Sequence, residues 1–353
     1  MKNDLLKGSP VRAIIVFAMP IMLSSLLQFS YNFVDNIIIG RYVGTQALAS
    51  VGNISSINSF IIGTALGLTS GFTIPVAQKF GAQEYKAMNK YAGNSIALSF
   101  IIGVIIAACA HIISDPILRA INTPDDIIEL SAAYINILYF GVPIQMLFNN
   151  FTGIARALGD SKRPLYFLVI SVVVNLFLDI LLVKNLKMGV EGAAIATVFS
   201  YLVAALFAGI YVFRKQEFLR VKFSDLKPSL KICWEQMKLG IPVSLQFTIT
   251  SVGSMVLQTA INSFGSSAIA AITAAGRVEQ IMNVPMSGLG VSNSTFVSQN
   301  YGAKQYERIL KAVKIYFCLI LLYHCFAVLC SYLWARMLFS GLLMNRRGNT
   351  RIR

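Results

Sequence analysis

The sequence predicts an all-α integral membrane protein built from two parallel six-helix repeats, the second of them incomplete. First, 56% of the residues are hydrophobic and only 13% are charged, whereas soluble domains carry about 25% charged residues. Second, the apolar residues form long runs, and runs of about 20 apolar residues are typical of membrane-spanning helices. Third, the later part of the chain repeats the earlier part in register, which indicates a duplicated helical unit.

Nine apolar segments are predicted to span the membrane. The first segment is too long for the apolar core of a secretory signal, and further spans follow it, so we interpret it as span 1. The predicted spans are residues 12–39, 47–76, 92–113, 130–156, 164–183, 190–213, 239–264, 268–297 and 312–339.

The distribution of Lys and Arg predicts a cytoplasmic N-terminus. The formal net charge is +15, which in a soluble protein would suggest a nucleic-acid partner. Here most basic residues lie between spans, on the side that also holds the N-terminus. The opposite side, before the last span, holds only Arg41, Arg119, Lys184 and Lys187. Because basic loops stay in the cytoplasm, we predict a multi-pass plasma-membrane protein that binds no nucleic acid.

The acidic loop before span 4 contains a predicted helix start. In the segment Thr123-Pro124-Asp125-Asp126, Thr123 is predicted as the N-cap and Pro124 as part of the first turn. The two acids would then lie at the positive end of the helix dipole.

The internal repeat has an interval of 221 residues. The segment "GLTSGFTIPVAQKFGAQEY" (67–85) aligns with "GLGVSNSTFVSQNYGAKQY" (288–306). One repeat unit holds six spans, and this even number keeps both units in the same orientation. The predicted domains are an N-terminal lobe at 1–213, a basic cytoplasmic linker at 214–238 and a partial C-terminal lobe at 239–340.

Residues 341–353 are predicted to be an aberrant basic tail. The sequence "MNRRGNTRIR" follows span 9 on the predicted outer side, where basic residues are rare. Three further spans would complete the second lobe. We therefore interpret the chain as a truncated or frame-shifted form of a longer protein.

Three acidic residues lie inside predicted spans: Asp35, Asp179 and Glu279. An ionised side chain in the bilayer costs at least about 2.5 kcal/mol, so such residues are functional candidates by default. Asp35 lies six residues before Arg41, and Asp179 lies five residues before Lys184. At 1.5 Å per residue, both carboxyl groups are expected roughly 7–9 Å below the outer membrane edge, in one layer.

Other polar residues are expected in this layer. They are Tyr134 of span 4, Thr197 of span 6, Asn175 four residues before Asp179, and Asn32 three residues before Asp35. Oxygen ligands with two carboxylates suit a proton or Na⁺, and two neighbouring carboxylates readily share a proton. The alternative interpretation is a hydrogen-bonded cluster that only fixes helix packing.

Arg277, Glu279 and Pro20 are further candidates. Arg277 and Glu279 lie two residues apart in span 8, so they point in different directions, towards a polar cavity or towards helices beyond span 9. Substrate contact and a structural role are both open for them. Pro20 removes a backbone hydrogen bond from span 1 and is a predicted kink. Our hypothesis is that span 1 bends there on protonation of Asp35.

Several motifs occur in a fixed order along the chain, among them "PIMLSSLLQFSYNFVDNIIIGRYVG", "GIARALGDSKRP" and "NLFLDILLV". On these motifs, about residues 1–340 resemble the multidrug and toxic compound extrusion (MATE) family of cation-coupled efflux transporters. The resemblance implies twelve spans in two six-helix lobes around a V-shaped central cavity. It also implies the export of lipophilic, often cationic, drugs in exchange for H⁺ or Na⁺.

The resemblance further implies site residues. The family's cation site corresponds to Asp35, Asn175, Asp179 and Thr197, with Tyr134 beside them. Some members have another carboxylate in span 7, where this chain has Gln246 and Thr250. The candidate residues of a substrate cavity are Gln28, Asn32, Gln246, Arg277 and Glu279. We expect no enzymatic activity, no cofactor and no metal other than a coupling Na⁺; the predicted partners of the monomer are the lipid bilayer and small-molecule drugs or toxins.

Three alternatives remain open. A flippase for lipid-linked sugars, from the same superfamily, need not use a pair of intramembrane acids. An intramembrane aspartyl protease would use two aspartates, but Asp179 has no flanking Gly of the kind that such sites contain. The third alternative is a truncated transporter without activity.

Overall fold

The computed structural model describes residues 5–121, 123–215, 219–262 and 266–349. These residues form nine α-helices and no β-strand, as predicted. Short π-helical segments, Ile180–Asn185 and Tyr211–Lys215, extend the fifth and sixth helices, and a 3₁₀ turn at Phe223–Leu226 precedes the seventh. The helices are α1 (Pro10–Tyr42), α2 (Thr45–Gly81), α3 (Tyr85–Ala120), α4 (Asp125–Ala157), α5 (Lys162–Asp179), α6 (Gly189–Ile210), α7 (Leu230–Asn262), α8 (Ser266–Gly302) and α9 (Tyr306–Asn349).

Each predicted span corresponds to one helix. Within the described ranges, seven helices are long and apolar enough to cross a membrane, namely α1 to α6 and α9. The other two, α7 and α8, coincide with the predicted spans 239–264 and 268–297. Their sequences contain many Ser, Thr, Asn and Gln residues, and such residues are expected where helices face a polar cavity instead of lipid.

The helices extend beyond the apolar segments that predicted them. α7 begins at Leu230, inside the segment 214–238 predicted as a linker, and α9 continues to Asn349, beyond the predicted span end at 339. Hydropathy detects only the part of a helix that lies in hydrocarbon. The hydrogen-bonded helix continues into the interface, where long charged side chains such as Lys231 reach water.

The start of α4 corrects one prediction. Its N-cap residue is Pro124 and its first residue is Asp125, so Thr123 is not the N-cap. Thr123 Oγ1 instead accepts a hydrogen bond from Asn53 Nδ2 of α2 at 2.9 Å. Asp125 and Asp126 do lie in the first turn of the helix, as predicted.

The internal repeat reappears as a repeated backbone structure after α2 and α8. Gln83 and Lys304 occupy equivalent positions of the repeat, and both have a positive φ, 60° and 57°. In each of the two turns, three successive backbone amides donate to carbonyls of the preceding helix end at 2.9–3.0 Å. The two copies therefore fold in the same way despite their different side chains.

Helices of the two repeats pack against each other reciprocally. α2 packs along α7, the equivalent pair α8 and α1 also packs together but less closely, and α2 and α8 contact each other. This pattern is the one expected for two parallel units related by an axis along the membrane normal. The lobe interface is consequently built from α1, α2, α7 and α8.

Glycines allow the close approach of α2 and α7. Gly67 and Gly71 lie against the backbone of Ser244 and Gly240, and a Cβ atom on either α2 glycine would overlap with that backbone. Small residues are the usual means by which membrane helices come this close. Ser244 Oγ adds a hydrogen bond to the carbonyl oxygen of Thr64 at 3.1 Å.

The start of the chain is fixed to the second lobe. Phe17 of α1 and Phe296 of α8 lie in one buried apolar cluster, and Ser292 Oγ donates to the Ile14 carbonyl at 2.8 Å. Arg308 of α9 donates from Nη1 to the Gly8 carbonyl at 2.7 Å and from Nη2 to the carbonyl of residue 5 at 3.3 Å. α1 is thus held between the lobes.

Candidate functional site

Two cavities lie beside α1. The smaller has a volume of about 250 Å³ and lies within the first lobe, and the larger, of about 610 Å³, lies between the lobes. A drug-sized ligand needs about 300–1,000 Å³, so only the larger cavity has room for one. Gln28 of α1 lines both cavities.

Asp35 and Asp179 come together beside the smaller cavity. Asp35 lines the cavity and is 8% exposed, and Asp179, at the end of α5, is 1% exposed. Their carboxyl groups are close enough for their charges to interact. Within the described chain, however, Asp35 Oδ1 and both carboxyl oxygens of Asp179 accept no hydrogen bond from any other residue. Since a buried carboxylate without a partner is unfavourable, this pair would gain free energy by binding a proton or a cation.

The backbone changes form directly after Asp179. α5 ends at this residue and continues as the π-helical segment Ile180–Asn185. π-helical turns are rare and occur frequently at functional sites. Val183, within this segment, is buried in the core of the first lobe, so the wider turn is anchored by apolar packing next to the acid pair.

Tyr134 and Thr197 lie on the wall of the smaller cavity. Tyr134 of α4 is 6% exposed and lies near both carboxyl groups. Thr197 Oγ1 of α6 accepts a hydrogen bond from Tyr31 Oη at 3.1 Å. Because Tyr31 is one helical turn before Asp35, this bond ties α6 to the part of α1 that carries the acid.

The two asparagines expected in this layer are placed differently from each other. Asn32 lines the smaller cavity, whereas Asn175 is 2% exposed and is not part of its wall. Among the described residues, Asn175 Nδ2 has no hydrogen-bond partner. Since Asn175 lies one turn before Asp179 on α5, it adds another unpartnered polar group to the region of the acid pair.

The cavity wall contains further polar residues that the sequence did not single out, among them Tyr31, Asn58, Gln145 and Tyr201. Tyr31 could have been found, because it is four residues before Asp35 and shares its helix face. The other three belong to helices whose facing sides depend on tertiary packing. Tyr201 Oη accepts a hydrogen bond from Gln28 Nε2 at 3.1 Å, where the two cavities meet.

The residues predicted for a substrate cavity divide into three groups. Gln28 and Asn32 line the smaller cavity, and Gln28 and Gln246 line the larger one. Glu279 is exposed and lines neither of these cavities. The side chain of Arg277 lies outside the described residues, and only its backbone, within α8, is described.

Pro20 and Thr250 complete the predicted set. Pro20 lies inside α1, and its carbonyl accepts a hydrogen bond from Ser24 Oγ at 2.9 Å. Thr250 is exposed, and its Oγ1 donates to the carbonyl of Gln246 at 2.8 Å. Neither residue lines the smaller cavity.

The larger cavity is lined by apolar, hydroxyl-bearing and amide side chains from both lobes. Arg156, near the end of α4, is the one charged residue on its wall within the part of the chain that the structure describes. In the sequence, Arg156 had the appearance of an ordinary basic residue at a cytoplasmic loop.

This architecture, two helical lobes in a membrane with a substrate-sized cavity between them, defines a multi-pass membrane transport protein. The family model MatE matches residues 20–181 and 242–347 of the sequence. The chain therefore belongs to the MatE family. The match includes parts of both lobes.

Relatives and solved structures agree with this assignment. The chain is 29% identical over 316 residues to the probable multidrug resistance protein YoeA of Bacillus subtilis, which covers 88% of this chain and 68% of that protein. It is 24% identical over 317 residues to an FAD transporter of Shewanella oneidensis, with coverage of 88% and 70%. An outward-facing structure of a multidrug resistance MATE family transporter of the MOP superfamily has a TM-score of 0.83 and 30% identity, with coverage of 92% and 73%. Two of these three proteins are named as transporters, which favours transport over the protease alternative.

Proposed function

We infer that the chain is a cation-coupled antiporter, which exports lipophilic drugs across the plasma membrane in exchange for H⁺ or Na⁺ by alternating access. One observation carries this proposal. The unpartnered carboxyl pair, Asp35 and Asp179, lies beside a small cavity that meets a substrate-sized cavity at Gln28.

The smaller cavity has the chemistry of a coupling-ion site. A proton could bridge the two carboxyl groups and remove the repulsion between them. Na⁺ could instead take oxygen ligands from Asp35, Thr197 and the neighbouring hydroxyl and amide groups, because hard cations prefer oxygen. A volume of about 250 Å³ leaves room for an ion and water molecules but not for a drug.

α1 provides a physical connection between the two cavities. The same helix places Asp35 on the ion cavity and Gln28 on the wall shared with the larger cavity. Any movement of α1 on ion binding therefore changes the shape of the substrate cavity. We propose that α1 bends at Pro20, where the missing backbone N–H weakens the helix.

The relatives support export of small organic molecules. Several are named as multidrug proteins, and one is named an FAD transporter, so ligands of this fold extend beyond drugs. The distribution of Lys and Arg supports a cytoplasmic N-terminus, and we propose that the protein acts as a monomer. A flippase for lipid-linked sugars would differ in one testable respect, since its activity would not depend on Asp35.

The experiment is gradient-driven transport in liposomes that contain the purified chain. Ethidium, a cation, and riboflavin 5′-phosphate, an anion, serve in separate assays as the transported compounds, and a Na⁺ gradient and a pH gradient are imposed separately. The wild type is expected to transport with one of them, and Asp35→Asn is expected to be at least tenfold slower. Asp126→Asn removes an exposed acid in the first turn of α4 and is the matched control, expected to transport normally.

Two outcomes would overturn the proposal. One is a wild-type chain that neither gradient drives. The other is an Asp35→Asn variant that transports as fast as the Asp126→Asn control.

A further inference from the structure

We propose that the larger cavity recognises an anionic group of its substrate, which binds at Arg156 and Ser161. The substrate class would be lipophilic organic anions, with a phosphate, sulfonate or carboxylate on an apolar or aromatic body. This inference names the substrate class of the transport activity proposed above and rests on that activity for its biological meaning.

The position of Arg156 suits the binding of a ligand. Asn149, Thr152 and Arg156 follow one another at intervals of three and four residues on α4, so they share one helix face, and all three line the larger cavity. The guanidinium group has no ion pair or hydrogen bond within the described chain. A guanidinium group offers five N–H donors in a planar fork that matches carboxylate and phosphate. Such a group normally has an anionic partner, and Arg156 lacks one.

The nearest acid in sequence is already engaged. Asp160, four residues after Arg156, accepts hydrogen bonds at Oδ1 from the backbone amides of Lys162 and Arg163, each at 3.1 Å. Its Oδ2 accepts a hydrogen bond from Tyr211 Oη at 2.6 Å and lies 3.6 Å from Arg163 Nε. Asp160 therefore fixes the start of α5 and does not neutralise Arg156, whose positive charge faces the cavity.

Ser161 provides a second, independent observation. It is the N-cap residue of α5, but its hydroxyl forms no capping hydrogen bond. The side chain is 2% exposed and lines the larger cavity. Ser161 Oγ has no hydrogen-bond partner among the residues described, and buried hydroxyl groups normally have one. A ligand with acceptor oxygens would satisfy Ser161 and Arg156 together.

The other residues of the cavity wall select the part of the ligand that carries no charge. Phe148, Phe247, Leu66 and Met286 contribute apolar wall from both lobes, and a volume of about 610 Å³ accepts an aromatic ring system. No acidic side chain lines this cavity within the described ranges, so a purely cationic drug would meet only the positive charge of Arg156. The charge of this cavity therefore disfavours the cationic substrates that the sequence led us to expect.

The test compares two ligands that differ only by an anionic group. Riboflavin and riboflavin 5′-phosphate share one ring and one side chain, and their fluorescence reports binding to the purified chain in lipid nanodiscs. The wild type is expected to bind the phosphate form at least tenfold more tightly. Arg156→Gln should abolish this preference, Arg156→Lys should retain part of it because lysine keeps the charge without the fork, and Ser161→Ala should reduce it severalfold.

Arg119→Gln is the matched control, because it removes an exposed arginine that lines neither cavity; its preference should equal that of the wild type. Riboflavin binding in each variant shows that the cavity is still formed. Equal affinity of the wild type for both ligands, or an unchanged preference in Arg156→Gln or in Ser161→Ala, would overturn the inference.

The same preparation separates this inference from the proposed function. Normal gradient-driven ethidium transport without a preference for the phosphate form would refute the anion site alone. A clear preference that depends on Arg156, in a chain that transports neither ethidium nor riboflavin 5′-phosphate under either gradient, would support the anion site while refuting coupled transport.

Discussion

Gly81 lies directly against the backbone carbonyl of Gln299, and its repeat counterpart Gly302 lies in the same way against the carbonyl of Gln78. The contact is reciprocal, as expected for two equivalent surfaces around a two-fold axis. It joins the ends of α2 and α8 on the side where α1 begins. Gln299 extends the contact, since its Nε2 donates to the carbonyl of Ala157 at 2.7 Å.

Replacing Gly302 by Ala should destabilise the protein. A Cβ at this position would overlap with the Gln78 backbone, and overpacking of this kind typically costs about 1–3 kcal/mol. Thermal or denaturant unfolding of the purified chain measures the loss. Gly52→Ala is the control, because Gly52 lies in α2 with no atom near its missing side chain, and this change should stabilise the helix by about 0.5–1 kcal/mol. Equal stability of the two variants would show that the glycine contact is loose.

Replacing Asp179 by Asn should increase stability in Na⁺-free buffer. The change removes a buried charge whose oxygens have no hydrogen-bond partner, a deficit worth about 1–3 kcal/mol. It should also remove the dependence of the melting temperature on the coupling ion. A ligand at 100 times its Kd stabilises the folded state by about 2.7 kcal/mol, so Na⁺ should raise the melting temperature of the wild type if Na⁺ is the ion.

The same experiment distinguishes H⁺ from Na⁺. If the proton couples, the wild type should become more stable relative to Asp179→Asn as the pH falls, because the folded pair takes up a proton that the variant cannot bind. Asp126→Asn should respond like the wild type in both titrations. A wild type whose stability relative to Asp179→Asn depends on neither Na⁺ nor pH would contradict the ion site.

Replacing Pro20 by Ala should slow transport at least tenfold while leaving the chain folded. Alanine restores the missing backbone donor in α1 and removes the break that the proposed bending requires. Pro116→Ala offers the comparison, since Pro116 lies inside α3, is exposed and lines neither cavity. Transport by Pro20→Ala at the rate of Pro116→Ala would exclude bending at this position.

Replacing Arg308 by Gln should release the start of the chain. Two hydrogen bonds from its guanidinium group hold the carbonyls of Gly8 and residue 5, and such charged hydrogen bonds contribute about 1.5–3 kcal/mol each. We expect hydrogen exchange in residues 5–9 to accelerate at least tenfold, as measured by mass spectrometry. Lys311→Gln, an exposed change one turn further along α9, should leave the exchange rate unchanged.

The fold and the acid pair could be predicted from the sequence for a simple physical reason. A carboxylate inside an apolar span is expensive, so its presence is informative, and counting residues to the nearest basic residue gives its depth. The internal repeat also predicted that the chain forms two equivalent lobes in the same orientation. Asp35, Asp179, Tyr134 and Thr197 were therefore expected in one layer, and the structure places them around one region of the first lobe.

Other features depend on tertiary packing and gave no such signal. Arg156 looked like one more cytoplasmic basic residue, because the sequence does not show that it lines the cavity between the two lobes. The π-helical segment after Asp179 reflects local packing and not composition. Gly81 and Gly302 were visible as recurring residues, but a recurring glycine in a turn is equally consistent with a positive φ, so their contact across the axis was not foreseen.

The pairing of α1 with α8 has a consequence for the synthesis of the protein. Ser292 and Ile14, which are hydrogen-bonded, are 278 positions apart in the chain. At about 5–20 residues per second, roughly 15–60 s pass between the appearance of these two residues at the ribosome. Throughout this interval the side of α1 that will face α8 lies against lipid or an insertion factor, so assembly of the lobe interface begins only after most of the chain has been translated.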